Sequence, residues 1–166
     1  MNISVTIIGH NEVNHLKELL PQLSWADEVI YVDCESEDNS IEIAKNYGCR
    51  VFSKPNNFNL NVNKSYAIEK ALNDWVFYID PDERISESLG NEIKQINKDN
   101  INSAFKLNRR NHCFGVWLKH GSQYPDEQIR LFKKDSAEFP KKHVHEKLII
   151  NGNIGTLKND LHHFPY

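Results

Sequence analysis

The sequence predicts an α/β protein: a mostly parallel central sheet with flanking helices, and a β-rich C-terminal half. Three observations carry this. Through about residue 100, short β-branched or aromatic runs alternate with segments of helical periodicity, the pattern of βαβ units. The run 75–79, Trp-Val-Phe-Tyr-Ile, holds five apolar or aromatic residues without a charge, as expected of a strand buried on both faces. Beyond residue 100 the apolar runs continue with few helical segments between them.

In chain order, the β-branched run 3–8 reads as strand one and Gly9-His10-Asn11-Glu12 as a loop. Leu16, Leu19, Leu20 and Leu23 then recur at helical spacing, so a helix is expected from about Asn14 until Pro21 or shortly after. Strand two is 28–33, with Asp33 at its end. Ser36 to Ser40 supply helix-capping side chains, and Ile41, Ile43, Ala44 and Tyr47 form a helix closed by Gly48. Residues 50–52 make a short third strand. The Asn-rich segment 56–63 reads as a loop, and Tyr66, Ala67, Ile68, Ala71 and Leu72 as the helix leading into Trp75. Ser86 is an N-cap for a helix carrying Leu89, Ile93 and Ile96. Residues 104–107, 116–118, 128–132 and 147–150 read as further strands or ribbons, with Asn151-Gly152 a hairpin turn. Right-handed crossovers place the strand ends Ile8, Asp33 and Asp80 along one sheet edge.

Length and composition bound the function. At 166 residues the chain is sized for one domain with its own core, its two halves meeting near residue 100. A net charge of -3 and the absence of a long basic block argue against a nucleic-acid partner. Arg109-Arg110 and Lys141-Lys142 read as solvated surface. Cys34, Cys49 and Cys113 are odd in number and lack ligand-like spacing, the mark of free thiols in a reducing compartment. No signal-peptide pattern opens the chain, and no run approaches the ~18 apolar residues of a membrane span. A cytoplasmic protein is expected, with room for contact at a membrane surface.

The chemistry is concentrated after the buried strand, in Asp80-Pro81-Asp82-Glu83-Arg84. Pro81 prevents further pairing through its own nitrogen. Carboxylates therefore crowd the carboxyl end of a core strand, where open α/β sheets bind ligands. Asp80 and Asp82, two residues apart on extended backbone, can point to one side and suit a hard cation such as Mg²⁺ or Mn²⁺. Read alone, the segment also fits a polar turn opened by Asp-Pro. Asp33 is either a turn former or an acceptor for ribose or base groups of a nucleotide. Gly-x-Gly-x-x-Gly is missing after strand one, which disfavours a dinucleotide fold, and no phosphate-binding Gly-x-x-x-x-Gly-Lys-Ser/Thr is present. His143 and His145 would share a face of a strand, as ligands or as a polar edge; His162-His163 are similarly open. Trp25, Trp117 and Tyr124 are sugar platforms or core. Asp126 and Glu127, after Pro125, form an acidic turn or supply a base.

Taken in order, these pieces resemble family-2 glycosyltransferases of the GT-A fold, most closely the bacterial branch that includes lipopolysaccharide-core β-glucosyltransferases. The likeness runs from residue 3 to about 164. It rests on Val5-Thr6-Ile7-Ile8 with Asn11-Glu12, Trp25-Ala26-Asp27-Glu28-Val29, Val32-Asp33 with Ser36-Glu37-Asp38, residues 43–48, and Asp74-Trp75-Val76 with Asp80-Pro81-Asp82-Glu83-Arg84. Later come Arg109-Arg110-Asn111, His120-Gly121, Tyr124-Pro125-Asp126, residues 128–132 and Val144-His145-Glu146.

The resemblance implies a metal-dependent, inverting transfer of a sugar from a nucleotide-sugar, expected to be UDP-linked, to a hydroxyl of a glycan or glycolipid such as lipopolysaccharide core. It assigns Ile8, His10, Glu12, Asp33, Lys64 and Asp80 to the nucleotide-sugar, Asp82 with Asp80 to Mn²⁺ or Mg²⁺, and Asp126 to the general base. It implies residues 1–100 as the nucleotide-sugar half and 101–166 as the acceptor-side half. Relatives usually continue past the end of this sequence, so an acceptor-side or membrane-contacting extension is expected to be missing. A histidine among His143, His145, His162 and His163 is a candidate to complete the metal site. Departures are Glu35 and Glu37 near the nucleotide site and Pro81 between the aspartates. A catalytically silent nucleotide-sugar-binding module and a sugar-nucleotide nucleotidyltransferase are the rival readings; the second wants a Gly-rich basic loop after strand one, which is absent.

Overall fold

The computed structural model describes residues 1–144 and 146–165. Its first half follows the alternation of the sequence: β1 (Ile3–Gly9), α1 (Val13–Leu19), β2 (Glu28–Asp33), α2 (Ser40–Asn46), β3 (Arg50–Ser53), α3 (Leu60–Lys70) and β4 (Trp75–Tyr78). After a two-residue β5 (Glu83–Arg84) and α4 (Glu87–Lys94), the chain is built from strands: β6 (Asn102–Cys113), β7 (Val116–Trp117), β8 (Glu127–Lys133), β9 (Ala137–Glu138), β10 (Ile149–Ile150), β11 (Asn153–Thr156) and β12 (Leu161–His163). Short 3-10 turns at Leu20–Leu23 and Lys134–Ser136 interrupt the two halves.

One curled sheet runs in the order β3-β2-β1-β4-β8-β6-β12-β5, with β7 and β11 also paired to β6. β3, β2, β1 and β4 are mutually parallel. β8 is antiparallel to both β4 and β6, so it joins the parallel half to the later strands. The register sets Gly9 beside Asp33 and Thr6 beside Tyr78. Parallel strands finishing at matched levels bring the loops after β1, β2 and β4 to one edge, as the carboxylates at the strand ends suggested.

The core obeys the two-residue period of strands. Ile3, Val5 and Ile7 of β1 and Phe77 of β4 pack on one face with Leu16, Leu19, Leu89 and Ile93 from α1 and α4. Ile30, Val32, Val76 and Tyr78 pack on the other with Ala67 and Ile68 of α3. Trp25 belongs to the first face, edge-on to Phe77 with ring centroids 6.0 Å apart, and a Cβ added at Gly90 would lie 2.8 Å from its ring. Trp25 is therefore a packing residue rather than a sugar platform. Trp117 is covered too, with the Arg110 guanidinium 4.2 Å from its ring centre and Tyr124 edge-on.

Several expectations change. The Asn-rich segment is only partly loop, because α3 begins at Leu60. Asn59 caps it by accepting from the Asn61 N–H, and the Asn61 amide donates to the carbonyls of Pro140 (2.7 Å) and Glu146 (3.0 Å). These asparagines tie the helix start to a distant segment. The hairpin expected at Asn151-Gly152 does not form: β10 pairs with β9, and β11 pairs with β6. Gly152, at φ 126°, instead turns the chain from one sheet into the other. His143 lies outside any strand, and His145 lies outside the described residues. The strand 147–150 shrinks to Ile149–Ile150. The three cysteines are free thiols.

Candidate active site

The segment after β4 is fastened from both sides. Ile79 donates its N–H to Thr6 O at 3.1 Å, extending the β1 pairing one residue beyond β4. The Arg84 guanidinium donates to the carbonyls of Pro81 (2.8 Å) and Glu83 (2.7 Å). The Glu83 N–H returns to Asp80 O at 3.0 Å, and the Asp80 N–H donates to Glu83 Oε2 at 2.9 Å. Phe164, just after β12, donates its N–H to Asp82 O at 2.8 Å. The Asp80–Glu83 turn is thus rigid, with its side chains in set directions.

Asp80 accepts from the Tyr78 hydroxyl and from Arg130 Nη2 at 3.3 Å. Burial pushes its carboxyl up, but Arg130 and Lys64 outweigh that and hold it below the ordinary aspartate value. Lys64 sits 4.7 Å from the Tyr78 ring centre. Burial lowers its pKa and Asp80 opposes the shift. A partly desolvated ammonium of this kind suits a diphosphate.

Asp82 and Glu12 face the same cleft, of about 330 Å³, which Ile8, His10, Lys64 and Asp80 also line. His10 donates Nδ1–H to the Cys34 carbonyl at 2.7 Å. Asn11, at φ 53°, accepts the Glu37 N–H at 2.7 Å, which locks the loop after β1 to the loop after β2. Burial and then the negative charges of Asp82, Asp38 and Asp80 push Glu12 up from 4.5 to about 7. The folded state therefore gains from protonating Glu12, an advantage complete below about 4.5 and lost as pH rises through about 7. Glu12→Gln is expected to raise the melting temperature at pH 8 and hardly at pH 4. Equal shifts at the two pH values in thermal melts would remove the like-charge explanation.

Asp33 stands at the end of β2, where its sequence placed it, with both carboxylate oxygens engaged. It is 2% exposed. Oδ1 accepts from the Tyr31 hydroxyl at 3.0 Å and Oδ2 from the Ser36 N–H at 2.9 Å. The cleft is lined by its neighbour Cys34, and Asp33 acts in this geometry by anchoring the turn that forms the cleft wall.

Asp126 lies just before β8, its carbonyl accepting the Arg109 N–H of β6 at 2.8 Å. Oδ2 accepts from Arg109 Nε at 2.9 Å and Asn111 Nδ2 at 3.0 Å, and Oδ1 from Gln128 Nε2 at 2.8 Å. Burial raises its carboxyl, yet the bonds from Asn111, Gln128 and Arg109 hold it below the ordinary aspartate value. It is an ionised acceptor at neutral pH. It lines a second cavity of about 630 Å³ with Ile129, Arg130 and Phe139, and this cavity shares Leu60 and Lys64 with the Asp82 cleft. Its rivals Glu127 and Glu146 line the same cavity and differ from it in their partners. Glu127 is exposed and ion-paired to Lys106 at 3.1 Å, and Glu146 accepts the His143 N–H.

Sequence reasoning left His163 undecided and gave Asn111 no role. Among the described residues no group of three or more His, Cys, Asp or Glu side chains forms a ready metal cage. The donor chemistry nevertheless fits a divalent cation. Asn111 gives its amide N–H to Asp126, so its Oδ1 faces His163 Nδ1 at 2.7 Å and requires Nδ1–H. The other nitrogen, Nε2, then turns toward Asp82 Oδ2 at 3.1 Å. Two acceptors held that close call for a proton or a cation between them.

Comparisons with known proteins bear on the family and the fold. The chain is 40% identical to an uncharacterized glycosyltransferase of Rickettsia prowazekii over 92% of this chain and 54% of that protein. It is 25% identical to the lipopolysaccharide core biosynthesis glycosyltransferase LpsC of Rhizobium meliloti over 98% of this chain and 63% of that protein. The chain thus spans little more than half the length of these relatives. Among solved structures, S. aureus TarS in complex with UDP superposes with a TM-score of 0.73 at 17% identity, covering 98% of this chain and 60% of that one. The mannosyltransferase PcManGT of Pyrobaculum calidifontis, in complex with GDP-Man and Mn²⁺, gives 0.53 at 16% identity, covering 67% and 36%. These likenesses confirm the GT-A fold. The profile of Glycosyl transferase family 2 matches residues 4–155, and the chain belongs to that family.

Proposed function

We propose that this chain transfers a glycosyl unit, with inversion, from a UDP-sugar to a hydroxyl of a glycan or glycolipid acceptor such as lipopolysaccharide core. The observation that carries the reading is the pairing of two cavities around Lys64 and Leu60. One holds Asp80 and Asp82, the other the ionised Asp126. UDP in the TarS complex and the lipopolysaccharide core biosynthesis role of LpsC support the donor and acceptor classes. The chain spans only part of the length of these relatives, so the acceptor is proposed at the level of class.

In this reading the cleft formed by the loops after β1 and β2 holds the nucleoside, with Ile8, His10 and Glu12 at its wall and Asp33 bracing it. Lys64 and Asp80 border the diphosphate. Asp82 and His163 Nε2 would hold Mn²⁺ or Mg²⁺, with Glu12 lining the same cleft as Asp82; the cation would supply stabilisation of charge developing on the leaving diphosphate. Asp126 accepts the proton of the acceptor hydroxyl as it attacks from the side opposite the leaving group, which inverts the anomeric centre. No side chain needs to form a covalent intermediate.

No helix among the described residues is long and apolar enough to cross a membrane, and the proposal places the chain at the cytoplasmic face, where a lipid-linked acceptor is presented. A thermal-shift screen of UDP, UDP-GlcNAc, UDP-glucose and GDP-mannose with and without Mn²⁺ tests the reading, since ligands of the folded state raise stability by mass action. Stabilisation by UDP compounds that grows with Mn²⁺ is expected. Stabilisation without release of UDP on any acceptor would mark a silent binding module, and no stabilisation would remove the proposal.

A further inference from the structure

Glu83 is the fully buried carboxylate of the site, at 0% exposure, and its charge is not needed by the chemistry described above. Its contacts are unusual. Oε1 accepts from Arg130 Nη2 at 2.7 Å and from Arg109 Nη1 at 3.2 Å, while Oε2 takes the Asp80 N–H at 2.9 Å. Each arginine has a second carboxylate. Arg130 Nη2 reaches Asp80 Oδ2 at 3.3 Å, and Arg109 Nε reaches Asp126 Oδ2 at 2.9 Å. Asp80, Arg130, Glu83, Arg109 and Asp126 therefore form one unbroken chain of alternating charge, from the diphosphate side to the base side.

Burying such a carboxylate is costly unless it is paired and hydrogen-bonded on both oxygens. Arg130 is itself buried, at 7%. Burial works against its charge, but Glu83 and Asp80 more than offset this and raise it above the ordinary arginine value. A single surface pair would steady one side chain. This arrangement fixes two functional carboxylates from a shared point, because either arginine can move only by disturbing the other's partner.

We propose that Glu83 is a positioning residue that couples the donor-side carboxylate Asp80 to the acceptor-side base Asp126 through Arg130 and Arg109. The coupling holds the base aligned with the donor across the strands β4, β8 and β6, without Glu83 touching substrate. The catalytic meaning rests on the glycosyl-transfer reading; the physical link does not.

The test uses Glu83→Asp, which keeps the charge but shortens the reach, together with Asp126→Asn. Glu83 and Asp126 meet through Arg109, so their thermal-shift losses are expected to be non-additive, and additive once Arg109→Gln cuts the link. Transfer, followed as UDP release, should fall about 10- to 100-fold in kcat for Glu83→Asp with donor KM changed less than about 3-fold, the range seen when supporting contacts of a site are altered. In the Asp126→Asn background the same change should cost almost nothing further. If Glu83→Asp fails to fold, Arg109→Gln, on the partly exposed arm of the chain, is expected to give the same kcat-selective, non-additive loss. Additive effects in both stability and kcat overturn the proposal. Failure of the transferase reading looks different: wild type would neither bind UDP nor release it, while the stability cycle would still decide the link.

Discussion

Asp126→Asn is expected to bind UDP and Mn²⁺ as wild type does and to transfer almost no sugar. General-base loss typically costs ~10²–10⁴-fold in rate, and the base acts in the transition state, not in donor binding. Asparagine keeps the size of the side chain, and its one amide oxygen can still accept from Arg109 and Asn111 while Gln128 turns its own amide oxygen toward the new NH₂, so the strand start should hold its shape. What it cannot do is take a proton. The low pKa of Asp126 adds a second expectation. Because Asn111, Gln128 and Arg109 keep it ionised, loss of activity on acidification by protonation of this residue should begin only below the ordinary carboxylate range. Calorimetry of UDP binding alongside a UDP-release assay checks both. If Asp126→Asn retains transfer while Glu127→Gln or Glu146→Gln loses it, the base is one of those residues.

Asp82→Ala is expected to abolish the Mn²⁺ dependence of UDP binding. Residues that only support a metal ligand typically cost 10–100-fold in metal affinity when changed, so loss of a direct ligand should cost more than ~100-fold. Asp80→Ala should behave differently, because Asp80 is already engaged by Tyr78 and Arg130 and its loss leaves the buried Arg130 with Glu83 as its carboxylate partner. That variant is expected to lose stability as well as donor affinity. Titration of Mn²⁺ by electron paramagnetic resonance reads the affinity without any acceptor. An Asp82→Ala protein with unchanged Mn²⁺ binding would sink the assignment of this carboxylate and, with it, of His163.

Much of the parallel half was legible because its signals are local. The buried run 75–79 has to be a central strand, since five uncharged apolar side chains in succession suit a strand covered on both faces. Pro81 has to end the pairing, since it lacks an N–H. The β-branched run of β1, buried along its whole length, and the helical spacing in α1 are local signals of the same kind. Hence Asp80 and Asp82 could be placed at a sheet edge before any coordinates. The Asn-rich segment misled for a local reason as well: asparagine disfavours helix interiors unless its amide has other work, and here Asn61 binds carbonyls some eighty residues away.

By itself, then, the sequence determined the α/β alternation, the carboxylates at the strand ends and the family, and it offered Asp126 as a base only through the family resemblance. Only the tertiary structure decided which charges meet. β12 is three residues long and polar at two of them, so no periodicity announces it, yet its pairing with β5 and β6 carries His163 to Asp82. The β6–β8 register, with its irregularity between Phe105 and Lys106, sets Arg109 against Asp126 and Glu83. Because a slip of one residue sends every side chain of a strand to the opposite face, that register and not composition gives Arg109 and Arg130 their carboxylate partners. Asp33 shows the same division: its place at the end of β2 could be read from the chain, whereas the neighbours that occupy both its oxygens, Tyr31 and Ser36, are fixed by how the strand end and the following turn fold against each other.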